Sequence, residues 1–209
     1  MKKAIQIVCV VVVVVGLGSV GAVDASTGLP EQKIMASDAM GGEQFGRSVS
    51  VSGDYSIIGA QADSHNGLHT GSAYIVERDG GGAWVEKAKL TASDAMSGDN
   101  FGNAVSIDGD YAIVGAKYDD APDPGRWIGS AYIFERNVSG AWPQKTKLIA
   151  SDGTSDDWFG QSVSISGDYA IVGAYGDDDN GATSGSAYIF ERNASGTWTQ
   201  EVKLLASNG

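Results

Sequence analysis

Among the residues able to do chemistry, carboxylates dominate, and they recur at fixed places. Shortly after each of three Gly-Ala steps (Gly59-Ala60, Gly115-Ala116, Gly173-Ala174) stand Asp63-Ser64, Asp119-Asp120 and Asp177-Asp178. The last continues as Asp179-Asn180-Gly181. Clustered carboxylates with a following glycine supply the oxygen ligands that Ca²⁺ takes, which makes Asp119, Asp120, Asp177, Asp178 and Asp179 candidate calcium ligands. The pattern Asp177-x-Asp179-x-Gly181 is half of a known loop and lacks a closing glutamate. A solvated acidic turn capped by aspartate side chains accounts for the same residues. A second acidic set precedes three Phe-Gly pairs: Asp38 and Glu43, Asp94 and Asp99, Asp152 with Asp156 and Asp157. Structural turns explain these equally well.

Aromatic residues in the same loops offer a different chemistry. Tyr118, Trp127 and Tyr175 lie near the most variable loop, where exposed rings stack on sugars or anchor a protein partner. Trp158, beside Phe159, is expected instead to pack between repeats. His65 and His69 are the only histidines and belong to the first copy alone, so they read as a loop accident rather than a metal pair. There is no nucleophile motif and no glycine-rich phosphate loop. A glycosidase carboxylate pair is normally unique, whereas these acids recur. Asn137-Val138-Ser139 and Asn193-Ala194-Ser195 match the N-glycosylation sequon.

Bulk composition narrows the partners. The 209 residues carry 14 Lys and Arg against 26 Asp and Glu, a formal net charge of −12. Phosphate binding needs a basic face, so this balance argues against nucleic acid. Of the acids 19 are Asp and 7 Glu, with 30 Gly and 4 Pro, a mixture that suits strands and tight turns over helices. Met1-Lys2-Lys3, the apolar run Ile7 to Val15 and the small residues before Ala25 have the pattern of a secretory signal peptide over 1–25. A retained membrane anchor is the competing reading. Cys9 lies inside the run, so the chain after the leader has no cysteine and owes nothing to disulfides. The expected location is secreted or cell-surface.

The elements that position these residues are written three times. Phe45-Gly46, Phe101-Gly102 and Phe159-Gly160 are spaced by 56 and then 58 residues. Each is followed by a turn aspartate (Asp54, Asp110, Asp168), the Gly-Ala step, a Gly-Ser-Ala-Tyr run and a Trp (Trp84, Trp142, Trp198). Only the segment between Gly-Ala and Gly-Ser-Ala-Tyr changes length, as a loop on a packed unit would. Each copy reads as four short strands, A to D, with Asp108-Gly109 as the A–B hairpin turn of the second. Strands B and C are apolar on both faces, which predicts sheets packed on each side. Strand D carries Lys87 and Lys89, then Lys145 and Lys147, as an outer edge that must not pair with a stranger. Repeated four-stranded sheets predict an all-β chain of β-propeller blades. A β-sandwich would not need such regular repetition.

These motifs resemble the FG-GAP repeat, which builds the β-propeller head of integrin α chains and of many prokaryotic surface proteins. The resemblance covers roughly 29–209 and implies an extracellular propeller for adhesion or ligand binding, often with calcium in its loops. The integrin Asp-x-Asp-x-Asp-Gly motif between strands A and B is absent: Ser52-Gly53-Asp54, Asp108-Gly109-Asp110 and Ser166-Gly167-Asp168 stand there. Blades are expected at about 38–93, 94–151 and 152–207, with an extra outer strand at 31–37 that matches strand D of the third copy. Three blades are fewer than the roughly four to eight of closed propellers. Missing blades from a longer chain, self-association into a ring, or an open arc would each answer that. The function class expected is a binding or adhesion module without catalysis, acting on an extracellular protein or glycan. A carbohydrate-active hydrolase or lyase module and a structural cell-envelope array unit are the alternatives.

Overall fold

The computed structural model describes residues 32–120 and 125–207, and the leader expected over 1–25 lies outside them. Twelve strands form three antiparallel sheets of four, with no helix among the described residues. The first sheet is β1 (Ser48–Ser52), β2 (Tyr55–Ala60), β3 (Ser72–Arg78) and β4 (Trp84–Leu90). The second is β5 (Val105–Asp108), β6 (Tyr111–Ala116), β7 (Ser130–Glu135) and β8 (Gln144–Leu148). The third is β9 (Phe159–Ser166), β10 (Tyr169–Ala174), β11 (Ser186–Arg192) and β12 (Trp198–Leu205). In each, sequence order is spatial order, the meander of a propeller blade.

Local chemistry sets the turns. Ser52, Asp108 and Ser166 pair with Tyr55, Tyr111 and Tyr169, so the hairpin turns are Gly53-Asp54, Gly109-Asp110 and Gly167-Asp168. The expected Asp108-Gly109 turn is therefore one residue further on, with glycine at the first central position and φ near +55° to +57°. A glycine there matches the two-residue turns that follow the twist of the flanking strands. The third connection closes on a side chain: the Asn137 and Asn193 carboxamide oxygens each accept two backbone N–H bonds in their turns. Asp79 does the same in the first sheet, which ties this residue to the turn itself.

Sheets join through backbone contacts that only glycine permits. Phe101 N–H donates to Thr70 O at 3.0 Å, and Phe159 N–H to Ile128 O at 2.8 Å. A Cβ on Gly59 would lie 2.1 Å from Gly102 O, and one on Gly115 would lie 2.0 Å from Gly160 O. That is far inside contact distance, so the Gly-Ala step is the seat for the next blade's Phe-Gly. Around it a continuous core joins Ile57, Ile75 and Leu90 of the first blade to Val105, Ile107 and Phe134 of the second. A matching core joins the second to the third. Trp142 packs on Tyr55 and Trp198 on Tyr111 across the two joints, with ring centroids 5.9 and 6.4 Å apart.

Position decides how far the apolar strands are buried. β6 and β10 share the sequence Tyr-Ala-Ile-Val-Gly-Ala, yet β6 is buried from its second residue on while β10 alternates. The middle blade has a neighbour on each face; the third has one. The outer strand expected at 31–37 is not formed by residues 32–37. Each of the three sheets already has its own fourth strand, so none of them needs this segment to complete a blade. Ala36 packs instead against Ala60, Tyr74 and Phe45.

Candidate functional site

The acidic loops come together with a lysine and a tyrosine, once per blade. In the second blade Lys147 Nζ lies 2.7 Å from Asp94 and 2.7 Å from the buried Asp119. The Tyr132 hydroxyl sits 2.9 Å from Asp94 and is also bonded to Asp119. Lys89 repeats this with Asp38 at 2.5 Å and Asp63 at 2.6 Å. Lys203 repeats it with Asp152, Asp177 and Asp179 at 2.9, 2.7 and 2.5 Å. In each case strand C supplies the tyrosine, strand D the lysine, the segment before the blade one aspartate and the loop after Gly-Ala another, with Asp179 as a second from that loop in the third blade. Of the lysines expected as edge charges, Lys89 and Lys147 turn inward, as Lys203 does in the third blade. Lys87 and Lys145 remain outside, paired with Glu77 and Glu135.

Electrostatics follow from this arrangement. Burial raises the Asp63 carboxyl, but hydrogen bonds from Lys89 and Ser72 outweigh it and hold the group well below the usual range. Asp177 is held down in the same way by Lys203 and Ser186. The second acidic set behaves differently. Asp99 is buried, accepts the Met96 N–H at 2.6 Å and is pushed up to about 6 by burial and then by the charges of Asp119 and Asp120. Asp157 is raised by burial too.

Of the five candidate calcium ligands, Asp119 and Asp177 are the buried acids just described, and Asp179 shares Lys203 with Asp177. Asp178 is exposed, and Asp120 accepts the Gly125 N–H. These residues do not fit a resident calcium ion. Ca²⁺ needs six to eight oxygen ligands, and here the inner carboxylates already hold an ammonium and accept from hydroxyls. His65, set aside in the sequence, lies with Nδ1 at 2.7 Å from Asp63 and 3.3 Å from Glu43. Lys89 Nζ already occupies that cluster, 3.3 Å from the same nitrogen. Hydrogen bonding to Asp63 raises the imidazole's pKa, against the opposing charge of Lys89. His69 is exposed and apart from it.

The ligand-binding candidates fall into two ring pairs. Tyr118 and Trp127 rings lie 5.8 Å apart, and Tyr175 stacks on Trp158 at 4.7 Å. The backbones of the two tryptophans meet where Trp158 N–H donates to Trp127 O at 3.3 Å, at the joint of the second and third blades. Trp127 is 47% exposed and Tyr175 51%. Trp158, expected between blades, is half-buried in its pair with Tyr175. Trp127 and Trp158 have φ of +46° and +53°, left-handed backbone that bulky residues avoid. The same two positions hold His69 and Asn100 at the first joint, also with positive φ. Sequence spacing could not reveal the strain, although a tryptophan in place of the smaller Asn100 at a repeated position was a signal.

The family model for the FG-GAP repeat matches the chain three times, over residues 30–76, 84–134 and 142–190. Among curated proteins no match is found.

Proposed function

The chain belongs to the FG-GAP repeat family, and we propose that it is a secreted or cell-surface propeller module that binds an extracellular protein or glycan without catalysis. The observation that carries this reading is the two aromatic pairs at one joint. The repeated positions that hold His69 and Asn100 at the first joint hold Trp127 and Trp158 at the second, each paired with a tyrosine, so the rings are particular to this joint and not required by the repeat's backbone. Two of the four rings are about half exposed at the loop end of a rigid scaffold, the usual place for recognition. Flat, weakly hydrated faces of this kind stack on sugar rings and anchor protein side chains.

The lysine–aspartate clusters support the scaffold half of this reading. Their acids are committed to ammonium and hydroxyl partners, which favours a structural role over acid–base work. The test is a panel of immobilised glycans and extracellular proteins probed with the chain and with Trp127→Ala/Tyr175→Ala. Hits that vanish in the double variant support the reading; hits that persist unchanged overturn it, as does turnover of a bound glycan.

A further inference from the structure

The two internal joints bury the same residues, and the outer faces of the first and third blades display the two halves of that joint. On the donor side, Val105 and Ile107 of the second blade are 7% and 4% exposed, whereas Val49 and Val51, at the same places in the first, are 66% and 64% exposed. On the acceptor side, Ile57 and Ile113 are fully buried, whereas Ile171 is 40% exposed. Leu90 and Leu148 are 3% exposed, whereas Leu204 is 45%. The Gly-Ala seat tells the same story. A Cβ on Gly173 meets no backbone of a following blade, only the Ser162 hydroxyl at 2.3 Å. Gly46, the plug that corresponds to Gly102 and Gly160, has nothing near its missing side chain.

Polar partners are placed to match. Ser50 Oγ accepts the Ile107 N–H and Ser106 Oγ the Ile165 N–H across the internal joints, both at 3.2 Å. Ser164 holds that position on the third blade and Val51 N–H the complementary one on the first. Arg136 and Arg192 lie over Tyr55 and Tyr111 at 4.7 and 4.2 Å. The counterparts are Arg78 on the first blade and Tyr169, 53% exposed, on the third.

We infer that these faces join head to tail between two copies of the chain, Phe45-Gly46 of one seating on Gly173-Ala174 of the other. The occupant is a second copy because both halves of an established joint are present on one molecule. Such heterologous contacts close into rings or run on as filaments. With the three blades of the described residues, two copies give six, the one multiple of three within the roughly four to eight blades of closed propellers. Ile34, two residues before Ala36 as Leu90 is before Ala92, borders the apolar groove with Val49, Val51 and Trp84. Leu204 of the other copy takes that place in the joint, and the segment before Ala36 gives way.

Light scattering after size exclusion, over a range of concentrations, tests this on the whole chain and on Val51→Asp and Ile171→Asp. Both substitutions lie on exposed positions, so each variant keeps its own blades. The expected result is a two-chain mass for the parent and one-chain masses for either variant alone, with association at least tenfold weaker. Mixing the variants restores one intact joint, Ile171 of the first against Val51 of the second, and a two-chain species returns. A one-chain parent at all concentrations overturns the inference and leaves the faces to other blades or another protein. Dimers that survive in Ile171→Asp would mean a like-to-like contact and overturn it equally. Masses that climb beyond two chains would overturn the closed ring.

Discussion

At the scale of single residues, the molecule solves one problem three times: how to keep buried aspartates in an acidic protein without disulfides. Lys147 answers it for Asp94 and Asp119. Removing one member of a buried pair leaves an uncompensated charge, so Lys147→Met should lower stability by about 3 kcal/mol, measured by denaturant unfolding. Since the ammonium stands where a cation would, calcium or a chelator should leave the melting temperature unchanged. A rise with calcium would place the metal among these acids. Asp99 carries the opposite sign. Its folded pKa of about 6 exceeds the roughly 3.9 of a free aspartate, so the folded chain holds that proton more tightly. This contribution is present below about pH 4 and lost as pH rises through about 6. Asp63 and Asp177, held low, contribute stability above about pH 4 that is lost below it. Stability should therefore peak between about pH 4 and 6, and Asp99→Asn should flatten the fall toward neutral pH, with a gain of roughly 1–3 kcal/mol at pH 7. An unchanged pH profile in that variant would remove Asp99 from the account. None of these partners was legible in the sequence. Lys147 reads as an alternating edge residue, and its aspartates lie in two distant loops.

At the scale of elements, identical strands meet different surroundings. The Gly-Ala step reads as a place where bulk would meet a neighbour, and the structure divides its three copies. A Cβ added at Gly59 or Gly115 would lie 2.1 or 2.0 Å from a carbonyl of the next blade, while one at Gly173 would meet a serine hydroxyl that can turn aside. Gly115→Val should then cost at least about 4 kcal/mol or abolish folding. Gly173→Val should be far milder in a single chain, as thermal melts would show. Equal losses would mean that the step matters within a blade and not between blades. The repeat, the four strands per copy and their order were legible, because hydrophobic runs and turn glycines recur at fixed offsets. The extra strand at 31–37 was not, since strand pairing depends on a partner edge that sequence matching cannot supply. Nor could the A–B turn be placed closer than one residue, because Asp108-Gly109 and Gly109-Asp110 are both good turn pairs.

At the scale of the whole molecule, two joints hold three blades through continuous cores, and two aromatic pairs lie at the second joint. Tyr118, Trp127 and Tyr175 were legible as loop aromatics near a variable segment. The pairing of Tyr175 with Trp158 was not, because the two rings come from different loops. We propose that these two aromatic pairs form the recognition surface on a scaffold of blades. The most direct measurement is the affinity of the first ligand recovered, titrated against the parent, Trp127→Ala and Tyr175→Ala, with the melting temperature recorded for each. The account predicts that each variant loses roughly tenfold or more in affinity, as central aromatic anchors do, while melting stays close to that of the parent. Unchanged affinity in both variants would contradict it and move recognition elsewhere on the blades.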